Sequence, residues 1–133
     1  MATLPEHIRS SKRTGKIEFF IEERNEHSVI SRMPITPGIR NPLGTVQAGA
    51  LIWLADVTAS TLVLEGHPLG KDGQGFPLAI NLHTALVSNQ RAGEIKAEAR
   101  FVRRGRRVSV VRTRLLGSDD LLLAEVTSTH VPA

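Results

Sequence analysis

One apolar run, Ala48–Leu64, constrains this chain more than any other feature, because it has the length of a helix and a single charged residue, Asp56. Apolar residues recur on nearly every face of a helix drawn through it, and such a helix must be covered by other elements or by lipid. Asp56 and three hydroxyl side chains interrupt the run before the roughly 20 apolar residues that a membrane span needs. The run therefore predicts a buried central helix in a soluble protein. A carboxylate rarely stays unpaired in such a place, so Asp56 is the first candidate functional residue.

Strand patterns surround this helix. Residues 16–22 and 27–35 are rich in Ile, Phe and Val and predict a hairpin. After the helix, alternation of apolar and polar residues predicts four more strands, over residues 76–87, 94–103, 107–116 and 121–131.

The predicted strands are joined by short turns, so they are expected to be antiparallel neighbours. We expect Gly105 and Gly117 to supply positive φ in two of these turns. An antiparallel sheet needs one covered face, and the apolar helix needs a cover. The sequence thus predicts an α+β fold in one domain over residues 1–133: a curved antiparallel sheet wrapped around one long central helix. Residues 1–14 are expected to be peripheral or mobile.

Composition narrows the possible chemistry. With no cysteine, disulfides, thiolate metal sites and cysteine nucleophiles are excluded, which fits the cytoplasm. The N-terminus lacks an apolar signal core, so we expect no export and a cytoplasmic location. The histidines lack the close paired spacing of zinc motifs, and we expect neither a metal nor a cofactor. They are His7, His27, His67, His83 and His130.

A basic segment runs from Arg91 to Arg114, with nine Arg or Lys residues against only Glu94 and Glu98. Such a segment predicts an anionic ligand: nucleic acid, a membrane surface or a phosphorylated cofactor. Nucleic acid is disfavoured, because aromatic residues make up only 4% of the chain and the one strong helix is apolar.

The most specific motif is NPLGTVQAG at residues 41–49, followed by Leu54, Ala55 and Asp56. It resembles the motif of the hotdog-fold acyl-CoA thioesterases, specifically the phenylacetate-pathway subfamily. That motif reads Asn-x-x-Gly-x-x-His-Gly-Gly, with Asp or Glu eight residues after the first glycine of the pair. The resemblance implies a homodimeric or homotetrameric enzyme that hydrolyses an acyl-CoA thioester to a free acid and coenzyme A.

The resemblance also implies roles for individual residues. Asp56 is the base or nucleophile. The backbone N–H of Ala48 and the Asn41 amide polarise the thioester carbonyl, and Ser60 orients the water. Asn41 also fits a turn initiator, and Ser60 fits a hydroxyl bonded back to its own helix.

Further residues are expected to contact the substrate. The basic turn at residues 103–107, with the sequence RRGRR, matches the phosphates of coenzyme A, although a solvated turn fits the same residues. Two positions depart from the motif, because Gln47 replaces a histidine and Ala48 replaces a glycine, and both departures favour altered substrate preference or weak activity. The predicted substrate-binding residues are Gln47, Gly49, His83, Arg103, Arg104 and Arg106.

Helix geometry predicts that the site is shared between subunits. Asp56 lies eight residues after Ala48, which is about 12 Å along the helix axis. One thioester carbonyl cannot touch both within a chain, so the carboxylate of one subunit has to meet the helix start of another.

Two other functions remain open. A non-catalytic acyl-CoA binder or sensor would explain Gln47 and Ala48. A hotdog hydratase or dehydratase needs a histidine near the helix start, and none lies between His27 and His67. Neither the acyl group nor the choice between dimer and tetramer follows from the sequence.

Overall fold

The computed structural model describes residues 14–65 and 67–133. The predicted peripheral lead-in therefore lies outside the described residues, except for Thr14. The described chain contains six strands and one α-helix, with three short 3-10 turns between them. In chain order they are β1 (Phe20–Arg24), β2 (Ser28–Pro34), α1 (Ala48–Leu64), β3 (Pro77–Leu86), β4 (Glu94–Arg103), β5 (Ser109–Leu116) and β6 (Leu122–Pro132).

The six strands form one sheet in the order β1-β2-β4-β5-β6-β3, and every pairing is antiparallel. Helix α1 packs against β2, β3, β4, β5 and β6. The predicted fold class is confirmed: one antiparallel sheet with one central helix against it. Strand β3 pairs with β6 on one side and with no other strand of the described chain, so it forms one edge of the sheet, and β1 forms the other.

Two apolar clusters hold the helix to the sheet. Near the start of α1, Leu51 and Leu54 are buried against residues such as Met33 and Ile95. Near its end, Leu62 and its neighbours are buried against Val29 and Val111.

A polar pair lies deep in the interface between helix and sheet. The Thr58 hydroxyl donates a hydrogen bond to the carbonyl oxygen of Leu54 at 2.6 Å. The Ser31 hydroxyl lies 2.6 Å from the Thr58 hydroxyl, and both residues are fully buried. Each hydroxyl therefore has a partner, as burial requires.

The expected role of two glycines was wrong. Gly117 has a φ of −96°, and the positive φ values of that turn, 55° and 56°, belong to Asp119 and Asp120. Gly105 is not among the residues with positive φ. A Cβ at Gly105 would lie 2.1 Å from the carbonyl oxygen of Val108, and one at Gly117 would lie 2.2 Å from Gln90 Oε1. Close approach to backbone, rather than backbone torsion, therefore requires glycine at Gly105, whereas at Gly117 a larger residue would displace the Gln90 side chain.

The first strand begins later than predicted. Residues 16–19 lie outside β1, which starts at Phe20. The Thr36 hydroxyl donates a hydrogen bond to the carbonyl oxygen of Lys16. The Phe19 ring meets Trp53 edge to face, with the ring centroids 5.2 Å apart. The segment is thus held by a loop and by the helix instead of by a neighbouring strand.

Candidate active site

One face of α1 is turned away from the sheet. Gly49, Trp53, Asp56 and Ser60 are spaced three or four residues apart, so they share this face. Gly49 is exposed and the other three are half-buried. The helix is therefore not covered on every side by its own chain, and Asp56 and Ser60 lie on the open side.

Within the described part of the chain, the start of α1 leaves two backbone donors without an acceptor. Gln47 is the N-cap residue, and its side chain makes no capping hydrogen bond. The N–H groups of Ala50 and Leu51 donate to the Gln47 carbonyl oxygen, at 3.1 Å and 3.4 Å. The N–H groups of Ala48 and Gly49 have no acceptor within the helix, and both residues are exposed. They lie at the positive end of the helix dipole, where negative charge is stabilised.

Asn41 organises the loop that leads into the helix. Its Oδ1 accepts hydrogen bonds from the backbone N–H groups of Leu43 at 2.9 Å and Thr45 at 3.1 Å. Its Nδ2 donates to the Thr45 hydroxyl at 2.7 Å. Asn41 therefore has the turn-initiating role that was one of its two expected roles. A side-chain amide has two hydrogens, so the second role, as a donor to the thioester oxygen, stays a prediction.

A groove of about 290 Å³ lies beside the helix start. The Gln47 amide donates to the carbonyl oxygen of Gly38 at 3.3 Å. Gly15 and Gly38 face each other so closely that a Cβ on Gly15 would lie 2.4 Å from the Gly38 Cα. The walls are Gly15, Ile17, Gly38, Gln47, Gly49 and Trp53, with Ile39 and Ala50 behind them.

From the sequence, His130 was only one of the histidines outside any metal motif. In the structure His130 lies near enough to Asp56 for the carboxylate to influence its pKa. His130 and Ser128 are buried on β6, and the Ser128 hydroxyl lies 2.7 Å from His130 Nε2. Burial lowers the pKa of His130 below its usual value, and the Asp56 carboxylate acts in the opposite direction. The alternation of buried and partly exposed residues along β6 could have placed His130 on the face toward α1, because residues two apart on a strand, such as Ser128 and His130, share a face.

Replacing His130 with asparagine is expected to flatten the pH dependence of stability. The unfolded chain binds a proton at His130 near pH 6.5, whereas the folded chain binds it only at lower pH. The free energy of unfolding of the wild type should therefore fall as the pH drops below about 6.5, by at most ~1.4 kcal/mol per pH unit for one proton. Urea unfolding of both proteins between pH 7.5 and 5 measures the difference. A constant difference across this range would contradict a buried neutral His130.

His83 lies on the other side of the sheet. It pairs with Thr127 and is exposed, whereas its neighbours Leu82 and Thr84 pair with the buried Ser128 and Val126. Because alternate residues point to opposite faces, His83 is on the face away from α1. A single chain does not bring it to Asp56, and its place in an acyl pocket stays a prediction.

The basic turn between β4 and β5 lies at the end of α1. Arg103 and Arg106 are exposed. With Arg107 and two valines they line an open groove of about 620 Å³. Arg104 is also exposed, but its guanidinium donates to the Glu65 carbonyl oxygen at 2.7 Å.

The chain resembles known proteins in its structure. No protein-family model matches the chain, and no curated protein matches it. Among solved structures, a variant of a thioesterase from Staphylococcus aureus is 21% identical, with a TM-score of 0.76 over 86% of this chain and 92% of that one. A variant of a thioesterase from Pseudomonas aeruginosa is 23% identical, with a TM-score of 0.76 over 86% of this chain and 82% of that one.

A third similar structure is a phenylacetic acid degradation-related protein from Ralstonia eutropha JMP134. It is 29% identical, with a TM-score of 0.74 over 85% of this chain and 83% of that one. The strand order, the single helix and the similarity to these solved structures all indicate the same fold. This chain has the hotdog fold of thioesterases.

Over residues 14–65 and 67–133, no three His, Asp or Glu side chains come close enough together to hold a metal ion. No helix in the same ranges is long and apolar enough to cross a bilayer.

Proposed function

We propose that this hotdog protein hydrolyses acyl-CoA thioesters in the cytoplasm. The observation that carries the proposal is the open face of α1, where Asp56 and Ser60 share a surface with the free N–H groups of the helix start. Similar solved structures named as thioesterases support thioester hydrolysis in general. The match of the loop before the helix to the thioesterase motif supports a CoA ester in particular.

The proposed enzyme is a dimer joined at β3. This ten-residue strand is an edge of the sheet, and an unpaired edge offers backbone donors and acceptors to another chain. Along and just after it, five apolar side chains are exposed by 42–62% of their area: Leu78, Ile80, Leu82, Leu86 and Val87. Pairing of two such strands would extend the sheet and cover these side chains, and two dimers can assemble further into a tetramer.

In such a dimer each site takes parts from two chains. The axial separation of about 12 Å between Ala48 and Asp56 prevents one chain from using both on one carbonyl. The thioester oxygen accepts hydrogen bonds from the N–H groups of Ala48 and Gly49 of one subunit, and the Asn41 amide adds a donor. Asp56 of the other subunit faces the carbonyl carbon, with the Ser60 hydroxyl one turn away to orient the water.

The reaction needs only these groups and water. With Asp56 as the base, its carboxylate takes a proton from water while the water oxygen bonds to the carbonyl carbon. The carbonyl oxygen becomes an oxyanion held by the helix-start N–H groups. The C–S bond then breaks, and the CoA sulfur leaves with a proton returned by Asp56. With Asp56 as the nucleophile, the same bonds break through an acyl-aspartyl intermediate that water hydrolyses. We expect no cofactor other than the coenzyme A of the substrate.

A second candidate is an acyl-CoA binder without turnover. It is favoured by one contact: the Gln47 amide, which stands where the motif has histidine, is bonded to the Gly38 carbonyl. A thiol-release assay across aromatic, short-chain and long-chain acyl-CoAs separates the two. Release of free thiol supports hydrolysis, whereas saturable binding without release supports the binder.

The substitution Ala48→Pro tests the oxyanion donor directly. Proline removes the N–H of Ala48, and it is tolerated at the first position of a helix. The preceding Gln47 already has φ −68° and ψ 145°, the extended conformation that a residue before proline prefers. We expect kcat to fall by about 10²–10³-fold with little loss of stability. Unchanged kcat in a folded variant would show that this N–H does not hold the thioester oxygen.

A further inference from the structure

One arginine connects the β4–β5 turn to the end of α1. Arg104 Nη2 donates a hydrogen bond to the Glu65 carbonyl oxygen at 2.7 Å. Glu65 is the C-cap residue of α1, so its carbonyl belongs to the helix end that lacks intrahelical donors. A cation at this end is also favoured by the helix dipole.

The same guanidinium rests on an aromatic ring. Arg104 Cζ lies 5.0 Å from the centroid of the Phe101 ring, within the range of a cation–π contact. Phe101 is half-buried and packs against the cluster that includes Ala59, Leu62 and Val63 at the end of α1. Arg104 is therefore anchored at two points to the helix and its core, although it is exposed.

The other arginines of the turn differ from Arg104. Arg103, Arg106 and Arg107 line the groove beside the turn, and Arg104 does not. Beyond the strand pairing of Arg103 with Val110, the hydrogen bonds that close this turn among the described residues are made by the Ser109 hydroxyl, which lies 3.3 Å from both the nitrogen and the oxygen of Gly105. A turn with such weak internal bonding depends on an outside anchor to keep its side chains in place.

We propose that Arg104 is a positioning residue that fixes the β4–β5 turn so that Arg103, Arg106 and Arg107 are held where they meet the phosphates of coenzyme A. The inference rests on the proposed function. It changes the expectation from the sequence, which gave Arg104 a direct contact with the substrate. Because the helix that Arg104 caps also carries Asp56, the phosphate-binding turn and the carboxylate are fixed to one rigid element.

Hydrogen exchange in the protein without substrate gives the first test. Arg104→Met should speed exchange of the Gly105 amide, which donates to the Ser109 hydroxyl, by about tenfold, since it removes a hydrogen bond made by a charged group. Arg104→Lys should behave similarly, because an ammonium lacks the planar fork that reaches the carbonyl and covers the ring. Arg100→Met is the matched control: it removes the same charge from β4 but should leave the turn unchanged. Unchanged exchange in Arg104→Met would overturn the proposal.

Kinetics give the second test, with an acyl-CoA and the N-acetylcysteamine thioester of the same acid, which has no phosphate. Arg104→Met and Arg104→Lys should raise KM for the CoA ester by about tenfold, with kcat and the KM of the truncated ester unchanged. If Arg104→Lys keeps the wild-type KM while Arg104→Met does not, Arg104 contacts phosphate as a charge and the positioning role is wrong. Equal effects on both esters would also contradict it. Failure of the wild type to cleave either ester would refute the proposed function instead, and the exchange experiment would still test the anchor.

Discussion

Replacing Asp56 with asparagine is expected to lower kcat for thioester hydrolysis by about 10²–10⁴-fold, the range for loss of a general base. Asparagine has nearly the same size and can keep a hydrogen bond, but it can neither accept the proton of water nor attack a carbonyl. Asp56 is half-buried on the open face of α1, so the change should leave the fold intact. Steady-state thiol release, together with thermal unfolding of the same samples, measures both effects.

The control for this substitution is Asp120→Asn. Asp120 pairs with Lys96 at 3.4 Å on the surface, so its loss removes a carboxylate away from α1 and should leave kcat unchanged. An Asp56→Asn variant that is folded and as active as the wild type would remove the basis of the proposed mechanism.

The role of the carboxylate can be resolved further in the wild type. In a single turnover in ¹⁸O-labelled water, a base directs the label only into the product acid. A nucleophilic Asp56 forms a mixed anhydride with the acyl group. Attack of water on the acyl carbon of this anhydride labels the product acid, whereas attack on the aspartyl carbon labels Asp56. Mass spectrometry of the peptide that contains Asp56 therefore detects label only if an acyl-aspartyl intermediate forms and is opened at the protein carbon.

Mixing two inactive variants is expected to restore activity. In a heterodimer of Asp56→Asn and Ala48→Pro subunits, one composite site carries both defects and the other carries neither. Random assortment of equal amounts makes half of the dimers mixed, so about a quarter of the wild-type activity should return. Activity is measured after the two purified variants are unfolded together and refolded, or after co-expression with different tags.

A mixture that recovers no activity would contradict a site shared between subunits. If one chain supplied both the carboxylate and the N–H, every site in the mixture would carry one defect and no activity would return. The control is each variant refolded alone, which should stay inactive. Restored activity would also establish an oligomer with shared sites, because monomers cannot complement one another.

The sequence predicted the elements that follow from periodicity. The helix begins and ends where expected, because the apolar run starts after the Pro-Gly loop and stops at Glu65 before the next Gly-Pro segment. The bounds of β4 were also correct. The predicted first strand began four residues too early, because Ile17 and Phe19 alternate with charged residues as they would in a strand, but the Phe19 ring packs on Trp53 and residues 16–19 do not pair with β2.

The arrangement of the candidate site was less accessible from the sequence. Asn41, Ala48 and Asp56 were identified from a motif, but the hydrogen bonds that commit the Asn41 side chain to its own loop depend on torsion angles that the motif does not give. The positions of His130 and Arg104 depend on long-range contacts. His130 reaches the surroundings of Asp56 only once β6 pairs with its neighbours, and Arg104 reaches Glu65 across 39 residues of chain.

The hydroxyl pair of Ser31 and Thr58 has a consequence for the precision of the site. A helix that is apolar on nearly every face could shift by one turn, about 5.4 Å, along the sheet and still pack against apolar residues. Such a shift would leave the buried Ser31 hydroxyl without its Thr58 partner, which is costly, whereas Thr58 would keep its bond to the Leu54 carbonyl oxygen of its own helix. The pair thus fixes the position of α1 along the sheet, and with it the position of Asp56, which in the proposed dimer faces the neighbouring copy.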